Sequence, residues 1–150
     1  IAGVAAGPIR DRLQRIGEQI DRGVDQAHRV ARRGQELDDA RRQIDTFGLE
    51  RELAELDEEE EEPVANESRT RTADALRSQL ATADRLDRVL TDTLGRLRML
   101  AAILGEAVAR SFELAARAGA TDQLGDLGED LGDVLDEMEA LRQALDDTER

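Results

Sequence analysis

The sequence predicts an all-α fold: an antiparallel coiled-coil-like helical bundle of two long helices and one shorter helix. Three observations carry this. Aromatic residues are nearly absent, with only Phe47 and Phe112 and neither Trp nor Tyr, so the apolar material is Leu, Ile, Val and Ala, which suits helical stripes better than strands. Charged residues make up 37% of the chain against 39% hydrophobic, the balance expected of long helices with thin apolar seams. Apolar residues also recur at alternating spacings of three and four through three separate stretches. At 150 residues the chain is long enough for one packed domain.

The first helix is expected over 8–47, with Pro8 in its opening turn, where the missing N–H costs nothing. Its seam has one strong row, Ile9, Ile16, Gly23, Val30, Leu37 and Ile44, and one that decays from Leu13 and Ile20 through Ala27 and Gly34 to Arg41. The seam is therefore bulky at its start and thin at its end, a pattern that invites self-association or a helical partner. Gly48 is the expected stop, followed by a short helical continuation through "LERELAEL". The six acids of 57–62, Pro63 and the polar residues after it mark a linker over 57–70. The expected organisation is thus a heptad helix within 1–56, the acidic linker, and a helical hairpin over 71–150 with arms at 71–118 and 122–149.

The first arm's seam reads Leu76, Leu80, Ala83, Asp87, Leu90, Leu94, Leu97, Ala101, Leu104, Val108, Ser111 and Ala115. Around 97–109 the apolar surface widens to include Met99, Leu100, Ile103 and Ala107, so this region should be the centre of the core. Gly119 supplies a left-handed cap, and Thr121 or Asp122 caps the last helix. That helix carries the cleanest seam, Leu124, Leu127, Leu131, Val134, Met138, Leu141 and Leu145. On its flank lie Gly125, Gly128 and Gly132, each costing about 1 kcal/mol relative to Ala in a helix interior. Close approach of another helix along this small-residue groove is the expected compensation.

Charge narrows the function. The net charge is −14, with 1–50 neutral, 51–70 at −7, 71–121 at +2 and 122–150 at −9. An acidic chain without basic-aromatic patches excludes nucleic-acid backbones and disfavours anionic membrane surfaces. All 21 basic residues are Arg, a pattern of GC-rich genomes and of halophile surfaces that hold their hydration in high salt. The absence of Cys removes disulfides, thiolate zinc sites and thiol nucleophiles. The apolar opening "IAGVAAGPI", which starts at Ile1 rather than Met, is expected to mark a fragment or processed product, and reads either as the end of a transmembrane or signal segment, with membrane attachment through preceding sequence, or as a frayed helix lead-in. No run approaches the roughly 20 apolar residues that span a bilayer. An extracytoplasmic or membrane-associated location is the expectation, in which Asn66-Glu67-Ser68 is a glycosylation triplet.

Catalytic chemistry finds little support. Ser68, Ser78 and Ser111 have one imidazole, His28, to share, and no nucleophile-elbow context surrounds them. The stretch "GEDLGDVLDEMEAL" at 128–141 resembles the second acidic helix of the all-α NTP pyrophosphohydrolases, the MazG-like and phosphoribosyl-ATP pyrophosphatase group. The resemblance covers about 30 residues, including "GEAVARSFELAARAG" before it. It implies magnesium-dependent hydrolysis of nucleoside triphosphates, with Asp130 and Asp133 at the family's E-x-x-D positions. The family's other pair, E-x-x-E, falls where this chain has Glu106 and Glu113 seven residues apart, with Ala107 and Arg110 between. By helical geometry, Asp126, Asp130, Asp133 and Glu137 share a face roughly opposite the leucine seam, which makes them a solvated surface.

The expected function is therefore structural or interaction-mediating: a non-enzymatic stalk or scaffold that self-associates or binds a helical partner. No cofactor, metal, nucleic acid or small-molecule substrate is expected. The alternatives are a helical signalling rod of a membrane receptor, in which Gly23 and Gly34 permit repacking, and a degenerate pyrophosphohydrolase.

Overall fold

The computed structural model describes residues 2–58, 66–117 and 120–148, with side chains from Gly7 onward. It is all-helical, with the helices packed as a bundle: α1 (Ala2–Arg42), α2 (Thr46–Glu58), α3 (Asn66–Ala115) and α4 (Thr121–Thr148). Ile1, the stretch 59–65 that holds half of the expected acidic linker, and the expected cap Gly119 lie outside the described residues. The rest of 57–70 is helical, with 57–58 closing α2 and 66–70 opening α3.

Two helix boundaries correct the sequence reading. Helix α1 begins at Ala2, so Pro8 lies inside it and removes one backbone hydrogen bond. The alanines before Pro8 have the propensity to carry the helix back past it. At the other end α1 stops at Arg42, earlier than Gly48, because Asp45 starts a new helix. The Gly48 N–H donates to Asp45 Oδ1 at 3.0 Å, a side-chain cap on the third residue of α2, so Gly48 belongs to an N-terminus. The 7-residue apolar row reaches Ile44, two residues past the end of α1, and periodicity alone therefore hides the break.

The chain packs into two compact units, one of 1–34 with 93–150 and the other of 35–92. In the second, Leu37, Ala73, Leu76, Ala83 and Leu86 are buried, and Arg41 Nε donates to Asp87 Oδ1 at 2.9 Å. Helix α2 contributes no buried residue; its Leu49, Leu53 and Leu56 are half-buried.

The first unit contains the main core. All seven seam residues of α4 are buried, with Leu124 and Leu131 at 1% exposure and Met138 and Leu145 at 0%. From α1 come Ile16, Gly23 and Val30, and from α3 Thr93, Leu100, Leu104, Ala107 and Leu114. Ile9, Leu13, Ile20 and Leu97 are half-buried here, as is Ile44 in the other unit. The direction of pairing follows from long-range contacts. Gln19 reaches Gly128 and Arg33 reaches Asp146, so α1 and α4 run parallel. Arg96 reaches Glu137, while Ile103, Ala107 and Arg110 border one groove with Leu127 and Asp130, which together set α3 antiparallel to α4.

The α3 seam is rotated from the expected one. The row Leu76, Ala83, Leu90, Leu97 and Leu104 does face inward, buried or half-buried. Its companion, however, is 86, 93, 100, 107 and 114 in place of 87, 94, 101, 108 and 115. The structure thus buries Thr93 at 7% and leaves Leu94 at 48% exposed, although Leu is the more apolar. Leu86, Leu100 and Leu114 lie in the buried row, whereas Asp87 lies in the expected one, and three large side chains outweigh a single Thr–Leu exchange. Met99, expected in the core centre, is 53% exposed because it lies about 100° round the helix from Leu100 and on the side away from Leu104.

The seam of α4 sets the stability scale. Leu131→Ala should destabilise the fold by about 2–5 kcal/mol, the usual range for emptying a packed leucine site. Phe47→Ala, at a residue 73% exposed, should stay within about 0.5 kcal/mol. Urea unfolding followed by circular dichroism separates the two; equal losses would contradict the assignment of α4 to the core.

Candidate interaction surface

A polar row on α1 lies beside the α1–α4 seam. Arg12, Gln19, Gln26 and Arg33 are spaced seven apart and so share one side of the helix. Arg12 Nη1 donates to the Thr121 carbonyl, and Gln19 Nε2 donates to the Gly128 carbonyl at 3.0 Å. Arg33 Nε meets Asp146 Oδ1 at 3.0 Å. Gln26 Oε1 is buried without a hydrogen-bond partner. The first two contacts link residues 109 apart, so a single register serves both. A slip of one residue would remove both hydrogen bonds.

This row accounts for the flanking glycines differently from the expected close helix approach. A Cβ on Gly125 would lie 3.8 Å from Arg12 Nη1, and one on Gly128 would lie 3.5 Å from Gln19 Oε1, both ordinary contacts with side-chain tips. A Cβ on Gly132 would meet nothing within 4 Å. The glycine under real crowding is Gly23, where a Cβ would lie 2.8 Å from Leu104 Cδ2. Close approach therefore occurs on α1 against α3. Gly125 and Gly128 instead border a groove of about 480 Å³ with Arg12, Arg15, Arg22, Glu18 and Gln19 along its α1 side.

The carboxylates of α4 divide between water and ion pairs. Asp126, Asp130 and Asp133 are exposed, and Glu137 receives Arg96 at 3.5 Å. Asp130 shares a groove of about 80 Å³ with Glu106 and Arg110. Among the described residues no three acidic or histidine side chains converge on a common point that would hold a metal ion. Ser111 donates to the Val108 carbonyl at 2.7 Å and His28 is exposed.

Near the C-terminus of α4, Arg142 grips Glu139 with two hydrogen bonds of 2.6 and 3.0 Å and reaches Asp146 at 2.6 Å. Asp146 also receives Arg33, so the cluster ties the end of α4 to α1. The Arg142 hydrogen bonds, helped by one from Gln143, lower the Glu139 pKa from 4.5 to about 2. The same hydrogen bonds to Glu139 raise the pKa of Arg142.

The remaining surface of the first unit is apolar on one side. Leu94 and Phe112 share one side of α3 and are 48% and 74% exposed, whereas Met99, 53% exposed, lies about 140° round the helix from them. Ala101, Ala102, Gly105 and Ala109 are exposed between them. From 97 to 109 the only charged residues are Arg98 and Glu106. A helix that is apolar nearly all round is the kind found fully enclosed, whereas α1 and α4 cover this one on two sides. Of the expected seam row, Leu94, Ala101 and Ala115 face outward and Val108 is half-buried, a consequence of the rotation of α3. Among the described residues no helix is long and apolar enough to cross a membrane.

Set against known protein families, characterised proteins and solved structures, the chain matches none.

The Glu139 cluster has a defined pH dependence. Because the folded-state pKa lies below the unfolded one, its contribution is fully present above pH 4.5 and is lost as pH falls toward 2. Urea midpoints of the wild type and Glu139→Gln should differ at pH 6 and converge near pH 2. A gap unchanged across that range would contradict the pairing.

Proposed function

We propose that this protein is a non-enzymatic helical scaffold that works by docking a further helix onto the outward side of α3. The observation that carries the reading is the exposed apolar stretch from Leu94 to Phe112 within a chain that is 37% charged. Leaving such a patch in water on a single molecule is unfavourable, and large patches of this kind mark interaction sites. The small residues at its middle permit a partner backbone to come near. The partner is therefore protein and helical, a second copy or another chain; no cofactor or nucleic acid enters the reading. The acidic exterior supports solubility while leaving this one side adhesive.

Two measurements test it. Incubated with magnesium and each nucleoside triphosphate, the purified protein should release no pyrophosphate. Release that Asp133→Ala abolishes would make it an enzyme and overturn the proposal. By light scattering, the protein should have more than monomer mass in both high and low salt, or gain mass with a helical partner. The double substitution Leu94→Ser and Phe112→Ser should reduce that assembly at least about tenfold while leaving the melting temperature within a few degrees, since both residues are surface positions.

A further inference from the structure

A second surface, separate from the outward side of α3, lies between α1 and α4. At 100° per residue, Arg12, Arg15, Gln19, Arg22 and Gln26 fall within one arc of about 80° on α1, and between 11 and 29 no other residue enters it. A chain with 35 acids against 21 arginines thus carries here a row of basic and amide side chains without an acid. Across from it α4 presents Gly125 and Gly128, which have no side chains to fill the groove of about 480 Å³ that Arg12, Arg15 and Arg22 border. Glu18 is the one acid on that border, and its Oε1 accepts from Gln14 Nε2 at 3.2 Å.

The three guanidinium groups are unequally engaged. Arg12 donates to the Thr121 carbonyl and is held against α4. Arg15 is exposed and uses only its Nε, on the Asp11 carbonyl at 3.3 Å. Arg22 is exposed and, among the described residues, makes no hydrogen bond or ion pair; Glu18, four residues before it, does not take it. An arginine carries five N–H donors, so Arg15 and Arg22 bring most of theirs to the groove unused. They stand about 10 Å apart along the helix axis, by the 1.5 Å rise per residue. Between them Gln19 is fixed by its hydrogen bond to the Gly128 carbonyl at 3.0 Å.

We infer that this groove binds a small linear polyanion, a molecule of two or more linked phosphate groups. Phosphate oxygens accept from guanidinium forks in pairs, and such charge-assisted bonds are stronger than neutral ones. The groove has the volume of an ordinary small-molecule site. The rest of the surface limits the ligand's length. A long polyanion would extend over the exposed acids of α4, Asp122, Asp126 and Glu129, on a chain whose net charge is −14, whereas a short one stays among the arginines. The site stands whether or not α3 docks a partner.

The test uses the full chain, titrated calorimetrically with pyrophosphate and with tripolyphosphate at about 0.1 M salt. One site per chain is expected, with a dissociation constant of about 1 mM or tighter. Arg15→Gln with Arg22→Gln should weaken it at least about tenfold. Arg85→Gln with Arg88→Gln, the same change in charge at exposed positions of α3, should leave it within about twofold. Gly125→Leu keeps every charge and puts a side chain into the groove, so it should weaken binding as much as the arginine pair does. Circular dichroism of each variant confirms that the helices remain. No binding of either anion at millimolar concentration, or binding that the two arginine pairs weaken equally, would overturn the site. Binding lost with Arg15 and Arg22 but indifferent to Gly125→Leu would put the anion on the open side of α1 and overturn the groove.

Discussion

Seven apolar side chains on α4, Leu124 through Leu145, form the row against which α1 and α3 pack, and they are all buried. Each fully buried aliphatic side chain contributes about 1.5–3 kcal/mol relative to exposure. In a chain with so few aromatic residues no other feature concentrates as much apolar burial. With α4 seated, the inward rows of α1 and α3 are determined by geometry. Leu104 rests on Gly23, while Leu100 and Leu114 of α3 turn inward. Whatever that rotation leaves on the far side of α3 is given to solvent.

Apolar burial of this kind is tolerant of slippage, since leucines at heptad spacing look alike from one turn to the next. The polar row on α1 supplies the discrimination. Gln19 and Arg12 each donate to a backbone carbonyl on α4 seven residues apart, so a shifted helix would leave donors and acceptors unmatched in a partly buried place. At the far end, Arg33 and Arg142 share Asp146, and Arg142 also grips Glu139. The hydrogen bonds are modest in strength, yet leaving their groups unpaired is costly, and that asymmetry is what fixes register. Gly125 and Gly128 border the flank where the tips of Arg12 and Gln19 reach over, at distances an alanine would also accommodate.

The α4 seam was fully legible because its apolar places are all large, with nothing of similar size competing beside them. The all-helical class was legible for a related reason, the lack of strand-forming and aromatic residues. For α3 the rotation was not legible: Leu94 and Thr93 are neighbours, both rows contain Leu or Ala, and only the positions of Leu86, Leu100 and Leu114 against Asp87 break the tie. The α1–α2 break was hidden because the apolar row of α1 continues to Ile44, past the end of the helix, the signal being a single Asp cap. The polar row was invisible to a search for apolar stripes or for metal-binding triads, although its strict spacing of seven was present. The glycine flank was noticed for its cost; its neighbours turned out to be side-chain tips, which no sequence pattern specifies.

These constraints together make α3 the helix with two inward faces satisfied and one left over. A further helix docked there would cover Leu94 and Phe112. A solvent-sensitive fluorophore attached through Gly95→Cys reports on that face directly, because a side chain at 95 has open space around it. The account predicts emission that shifts to the blue as the protein concentration rises or a helical partner is added; emission that stays that of a water-exposed label while the helices are intact would contradict it.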